Sequence, residues 1–230
     1  VSESLGLVGE SGCGKTTVIR SILRLLPPNG EVLSGEVWLA DRDLLQLTRE
    51  EIRQVRWAEI SLISQSAMNA LDPVYRVGDQ IVEAIRAHED KSRREAWQQA
   101  EDLVDLVGLE PSRLTDYPHQ FSGGMRQRAV IAMALALDPT VIIADEPTTA
   151  LDVIVQAQIL AKIKEMQART GVGLILVTHD MSVIAQTCEK VAVMYAGRVV
   201  EYGAARVIFG EAFHPYTMGL QNAFPSVKGE

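Results

Sequence analysis

The run Gly9-Glu10-Ser11-Gly12-Cys13-Gly14-Lys15-Thr16 constrains this chain more than any other stretch. It fits G-x-x-x-x-G-K-[ST] at every position. Glycines let the backbone turn so that successive N–H groups converge, and converging N–H groups bind phosphate oxygens. A helix opening at Lys15 adds its positive end to the same point. Lys15 can then reach β- and γ-phosphates, and the Thr16 hydroxyl can ligate Mg²⁺. The flanks agree with this reading. Leu5 to Val8 is a short apolar run that reads as a buried strand. Lys15 to Leu26 has helical spacing and is stopped by Pro27-Pro28.

The remaining chain alternates strands and helices. Glu36 to Leu39, Ile60 to Ser64, Val141 to Ala144 and Leu174 to Val177 read as strands. Thr48-Arg49-Glu50-Glu51 is a capping-box pattern opening a helix to about Trp57. Val77 to Val107 carries helical periodicity and many charges, and reads as a helical insertion. Phe121 to Leu137, Val153 to Thr170 and Met181 to Glu189 read as further helices. Val191 to Tyr195 and Arg198 to Tyr202 flank Ala196-Gly197 as a hairpin. The fold class is therefore α/β, with a mostly parallel sheet and a smaller antiparallel part.

Composition removes several function classes. A net charge of -8 argues against a nucleic-acid partner. Two distant cysteines, Cys13 and Cys188, suggest neither a disulfide framework nor a zinc site. No apolar run approaches the ~18 residues of a membrane helix, and Val1-Ser2-Glu3-Ser4 is no basic leader. The chain lacks an initiator Met and starts just before a strand, so a piece of a longer product is expected.

Val141 to Ala144 ends in Asp145-Glu146. At the carboxyl edge of a parallel sheet, this is where ligands sit. Asp145 suits holding Mg²⁺ through water, and Glu146 suits orienting an attacking water. Gln65 and His179 each follow a strand that ends at the same kind of edge. Either could be a satisfied structural residue, or Gln65 could reach Mg²⁺ or water and His179 a γ-phosphate. In Phe121-Ser122-Gly123-Gly124-Met125, Ser122 is a good N-cap and the glycines leave N–H groups open at a helix start. Taken alone, this element is an ordinary capped helix.

"GESGCGKTT", the glutamine after "SLIS", "FSGGMRQR", "VIIADEPT", "ALD" and "THD" occur in that order. Together they resemble the nucleotide-binding subunit of ATP-binding cassette (ABC) transporters across essentially the whole chain. "YPHQFSGGMRQR", "TTALDV" and "HPYTMGL" resemble the dipeptide, oligopeptide and nickel importer branch. "FSGGM" departs from the usual LSGGQ signature at Phe121 and Met125. The resemblance implies a RecA-like P-loop NTPase core. It divides the chain into residues 1–67 and 126–205 as the two halves of that core, 68–125 as a helical subdomain, and 206–230 as a C-terminal extension.

The resemblance further implies ATP held with Mg²⁺ between two subunits arranged head to tail, as a homo- or heterodimer. One subunit would supply Gly9, Ser11, Gly12, Cys13, Gly14, Lys15, Thr16 and Thr17. The other would supply Ser122, Gly123 and Gly124, with Asp152 at the shared interface. Thr16, Gln65 and Asp145 would hold the metal, and Glu146, His179 and Gln65 would serve catalysis. The implied partners are two transmembrane permease subunits, which the segment after Gln65 would help to dock, and, indirectly, a solute-binding protein. The implied place is the cytoplasmic face of the inner membrane. A soluble ABC-type ATPase acting on ribosome or DNA is the alternative.

Two departures carry expectations of their own. The family's adenine-stacking aromatic and its first antiparallel strands are expected ahead of Val1, since none of the eight residues before Gly9 is aromatic. No cysteine follows His214-Pro215-Tyr216-Thr217, so no iron–sulfur cluster is expected in these residues.

Overall fold

The structure, a computed structural model, describes residues 3–64, 70–147 and 153–223. Gln65 and Asp152, named above for the site, lie outside the described residues. In chain order the first elements are β1 (Ser4–Val8), α1 (Lys15–Ile22), β2 (Trp38–Leu39), β3 (Arg42–Asp43), α2 (Arg49–Ala58) and β4 (Ile60–Ile63). Then come α3 (Val77–Arg86), α4 (Arg93–Leu106), α5 (Gly123–Ala134), β5 (Val141–Asp145), α6 (Val153–Thr170) and β6 (Gly173–Thr178). The last are α7 (Met181–Thr187), β7 (Lys190–Tyr195), β8 (Arg198–Ala204), α8 (Ala205–Gly210) and α9 (Pro215–Ala223). The chain forms two compact units, Glu3–Arg56 with Leu174–Glu230, and Trp57–Gly173.

In the first unit, β1 lies between β6 and β7 and is parallel to both. Leu7, Val8, Leu176, Val177, Val191 and Val193 are all buried. Such near-continuous burial is the mark of parallel strands covered on two faces. β7 turns back into antiparallel β8 through Ala196 and Gly197, whose φ angles are 47° and 79°. Two consecutive positive φ values match the twist of a two-residue hairpin turn, so the pair expected to make a hairpin does so.

Two expectations in this unit need correction. α1 ends at Ile22 rather than Leu26. Arg24 takes a left-handed φ of 50°, the Leu25 N–H returns to Arg20 O (2.7 Å), and the Arg24 N–H returns to Ser21 O (3.0 Å). This closing motif satisfies the last carbonyls before the prolines can act. Arg56 then donates to Leu23 O (2.8 Å) and Arg24 O (2.7 Å). The strand expected over Glu36 to Leu39 is only Trp38–Leu39, paired with Arg42–Asp43. The Asp43 carboxylate takes the Val37 N–H (3.0 Å) and the Leu45 N–H (3.1 Å), so a side chain replaces the ladder there. The capping box at Thr48 and Glu51 forms as expected.

In the second unit, β4 and β5 are parallel, with Ile63 opposite Ala144. Ile142, Ile143 and Ala144 have no exposed surface. The helical stretch expected as one insertion is two helices. Ser92 and Glu95 form a reciprocal capping box that starts α4 anew (Ser92 N–H to Glu95 Oε2, 2.9 Å). α5 is buried on nearly every side, from Gln127 through Ala134. It stops at Ala134, not Leu137. Trp57 Nε1–H donates to Met133 O (2.8 Å) and Gln99 Nε2–H to Ala136 O (2.8 Å), which meets carbonyls that a helix end leaves open.

Trp57 itself holds a left-handed φ of 71°, an outlier for a bulky residue, so its indole bond fixes an otherwise unfavourable backbone. Trp57→Phe should lower unfolding free energy by about 1–3 kcal/mol, because a part-buried carbonyl loses its donor. Urea denaturation of the two proteins measures it.

Candidate nucleotide site

The phosphate loop springs from β1. Val8 pairs with Thr178 on β6 and with Val193 on β7, so the loop leaves the carboxyl edge of a parallel sheet. Its start is tightly packed: a Cβ on Gly9 would stand 2.3 Å from Met194 O and 2.7 Å from Cys13 Sγ. No other residue fits there without moving the backbone. Gly14 caps α1 at φ 107°, a conformation open to glycine, and turns the chain into the helix at Lys15.

Lys15 is only 6% exposed, although it is a lysine. Its Nζ donates to Gly9 O (2.8 Å) and Glu10 O (3.0 Å), and sits 3.9 Å from Cys13 Sγ. A buried ammonium must be hydrogen-bonded, and here the loop's own carbonyls do it. The loop folds around the charge and keeps it at the mouth of α1. Gly197 N–H donates to Cys13 O (2.9 Å), which ties the loop to the hairpin turn. Cys13 is buried, and so packs as a small loop residue.

The same sheet edge carries His179. Thr178 is the last residue of β6, opposite Val8, so the next residue emerges beside the start of the loop. The turn is built to present it. Thr178 Oγ1 accepts the Asp180 N–H (3.1 Å), and Asp180 Oδ1 accepts the Ser182 N–H (2.8 Å) to cap α7. His179 stands exposed at the apex.

In the second unit, Asp145 closes buried β5 and is itself 6% exposed. Glu146 follows with φ 48°, a left-handed backbone on a residue that is not glycine. Such strain costs on the order of 1–3 kcal/mol and clusters at functional positions. The parallel partner β4 ends at Ile63, opposite Ala144. Ser122 caps α5, its Oγ accepting the Met125 N–H (3.3 Å). Phe121 is 5% exposed and anchors the turn, while Ser122 is exposed. With Met125 taken by the cap, the Gly123 and Gly124 amides open the helix.

A family model described as ABC transporter matches residues 2–149. The chain belongs to the ABC transporter family, as an ATP-binding cassette. It is 50% identical to the dipeptide transport ATP-binding protein DppD of Bacillus subtilis, over 97% of this chain and 68% of that protein. It is 45% identical to the oligopeptide transport ATP-binding protein OppD of Escherichia coli strain K12, over 99% of this chain and 68% of that protein. Among solved structures, it resembles a dimeric post-hydrolysis state of the cassette MJ0796 bound to ADP and Pi. The TM-score is 0.77 and the identity 28%, over 89% of this chain and 86% of that one. The structure of cbiO1 from Clostridium perfringens, part of the ABC transporter complex cbiONQ, gives 0.80 and 26%, over 91% and 80%. The α/β P-loop fold expected from the sequence is thus the cassette fold, and the enzyme class is ATPase. Among the described residues, no helix is long and apolar enough to cross a membrane.

One group near the loop went unread in the sequence. Tyr216 Oη accepts the Glu10 N–H at 3.0 Å, across 206 residues of chain. No spacing rule links positions so far apart. The only signal was "HPYTMGL", read above as a mark of the importer branch and given no task at the site.

Proposed function

We propose that this cassette is the ATP-hydrolysing subunit of a peptide importer, and that two cassettes grip each ATP from opposite sides. One contributes Gly9 through Thr17. The other contributes Ser122, Gly123 and Gly124, with Asp152 nearby. The observation that carries the reading is the buried Lys15, held by Gly9 and Glu10 carbonyls at the opening of α1. That arrangement holds a positive charge at the start of a helix, where phosphate oxygens are favoured. Relatives named for dipeptide and oligopeptide transport support the solute class, and the dimeric cassette of similar fold supports the pairing.

Thr16, Asp145 and Gln65 are all oxygen donors, which suits Mg²⁺. When bound, the metal would neutralise charge developing on the β- and γ-phosphates. The chain's own residues do the rest. Lys15 and the loop amides orient the triphosphate. Glu146 holds and polarises the water that attacks the γ-phosphate. His179, on its rigid turn, hydrogen-bonds the γ-phosphate, so its environment changes when that group leaves. Loss of the γ-phosphate removes contacts made to both subunits and releases the pair. Opening and closing would then drive two transmembrane permease subunits, fed by a solute-binding protein, with the cassette at the cytoplasmic face of the inner membrane.

Affinity capture of the full-length subunit from detergent-solubilised membranes tests the assembly. Two multispanning subunits should co-purify, and peptide should stimulate ATP turnover of the reconstituted complex. Capture of ribosomes or DNA instead would refute the importer reading.

A further inference from the structure

Four contacts build the segment around Tyr216. Glu201 on β8 accepts the Phe213 N–H (2.8 Å) and the His214 N–H (3.2 Å). His214 Nδ1 accepts the Tyr216 N–H (3.1 Å), so the imidazole caps α9. Pro215 opens that helix, where a missing N–H costs nothing. The Tyr216 ring then packs on Tyr195, with centroids 4.5 Å apart at 46°. A phenol held on both sides this way has one place for its oxygen, and that place is the Glu10 amide.

The bond falls on a particular peptide. The Glu10 N–H and the Gly9 C=O belong to one planar unit. Tyr216 takes its N–H, while Lys15 donates to its C=O at 2.8 Å. Rotation of that plane would break both bonds together. Hydrogen bonds on the two ends of one amide also polarise one another. Tyr195 leads directly into the turn whose Gly197 holds Cys13 O, so the same aromatic pair also borders the loop's second tether. Burial raises the Tyr216 phenol above its usual value, with the nearby Glu10, Cys13 and Tyr195 charges adding to this and the Glu10 N–H opposing it. The phenol therefore stays neutral at neutral pH.

We infer that Tyr216 is a positioning residue of the nucleotide site: through the Gly9–Glu10 peptide it sets the orientation of the phosphate loop and of Lys15, and makes the C-terminal segment from Phe213 to α9 part of that site. The inference rests on the reading of the loop as the ATP site. It assigns a task to the "HPYT" motif, which the catalytic scheme leaves unused.

Tyr216→Phe in the full-length subunit removes the oxygen and keeps the ring on Tyr195. KM for ATP should rise about threefold to tenfold, as expected for one lost hydrogen bond. Saturated turnover should stay within about twofold, and the melting midpoint should hold. Tyr216→Ala should raise KM at least as far. Lys15→Ala separates the two levels of the argument. If Lys15→Ala weakens nucleotide binding tenfold or more while Tyr216→Phe keeps a wild-type KM, the Tyr216 inference falls alone. If Lys15→Ala leaves binding intact, the ATP-site reading falls and takes the inference with it. A Tyr216→Phe protein whose KM, turnover and melting midpoint all worsen together would show a merely structural role and overturn the inference.

Discussion

Glu146→Gln should bind ATP with near-normal affinity and turn it over at least about a hundredfold more slowly, and it should accumulate as an ATP-bound dimer. The magnitude follows from the part a positioned general base plays in a transition state, typically 10²–10⁴-fold. The amide is nearly isosteric, so the left-handed backbone at φ 48° and the buried Asp145 before it have no reason to change. What is lost is the negative oxygen that polarises the water. Because the γ-phosphate then stays in place, the contacts it makes to both cassettes persist. Steady-state phosphate release gives the rate, and equilibrium dialysis gives the affinity. Turnover near wild type would remove Glu146 from its proposed role.

Lys15→Ala should weaken ATP binding by roughly tenfold to a hundredfold or more. A charged hydrogen bond contributes about 1.5–3 kcal/mol, and Lys15 would bring its charge to two phosphates. A second effect acts in the same direction. Truncation leaves the Gly9 and Glu10 carbonyls, which now accept from Nζ at 2.8 and 3.0 Å, without their donor. The loop then loses the group that it folds around. Titration with a fluorescent ATP analogue measures the change; an unaltered dissociation constant would place Lys15 outside the site.

Much of this architecture was legible in the chain because local rules and tertiary contacts agree. α6 spans Val153–Thr170 as its periodicity and Gly171 indicated. The Ala196-Gly197 hairpin formed because that pair tolerates the φ values the turn demands. Errors came where a side chain or a closing bond competed with a propensity. Arg24 ended α1 by adopting a conformation usually left to glycine, and Asp43 took amides that a longer strand would have used. α8 and α9 went unread, since both are short and α9 is held by Glu201 and His214 rather than by an amphipathic repeat.

The site divides in the same way. The phosphate loop was readable because backbone geometry restricts which residues can form it. His179 was ambiguous until Val8 and Thr178 were seen paired, which brings its turn to the loop's edge. Tyr216 was unreadable because its bond to Glu10 depends on β8, α9 and Tyr195 all being in place first.

Shared grip on one triphosphate is tested most directly by sedimentation velocity on full-length Glu146→Gln subunits, with and without MgATP, alongside a second version that also carries Gly123→Asp. Mass should double with MgATP, return to that of a protomer when nucleotide is removed, and fail to double once an aspartate faces the partner's γ-phosphate. A mass that stays that of one protomer with MgATP, or that doubles just as well in the version carrying Gly123→Asp, would contradict it.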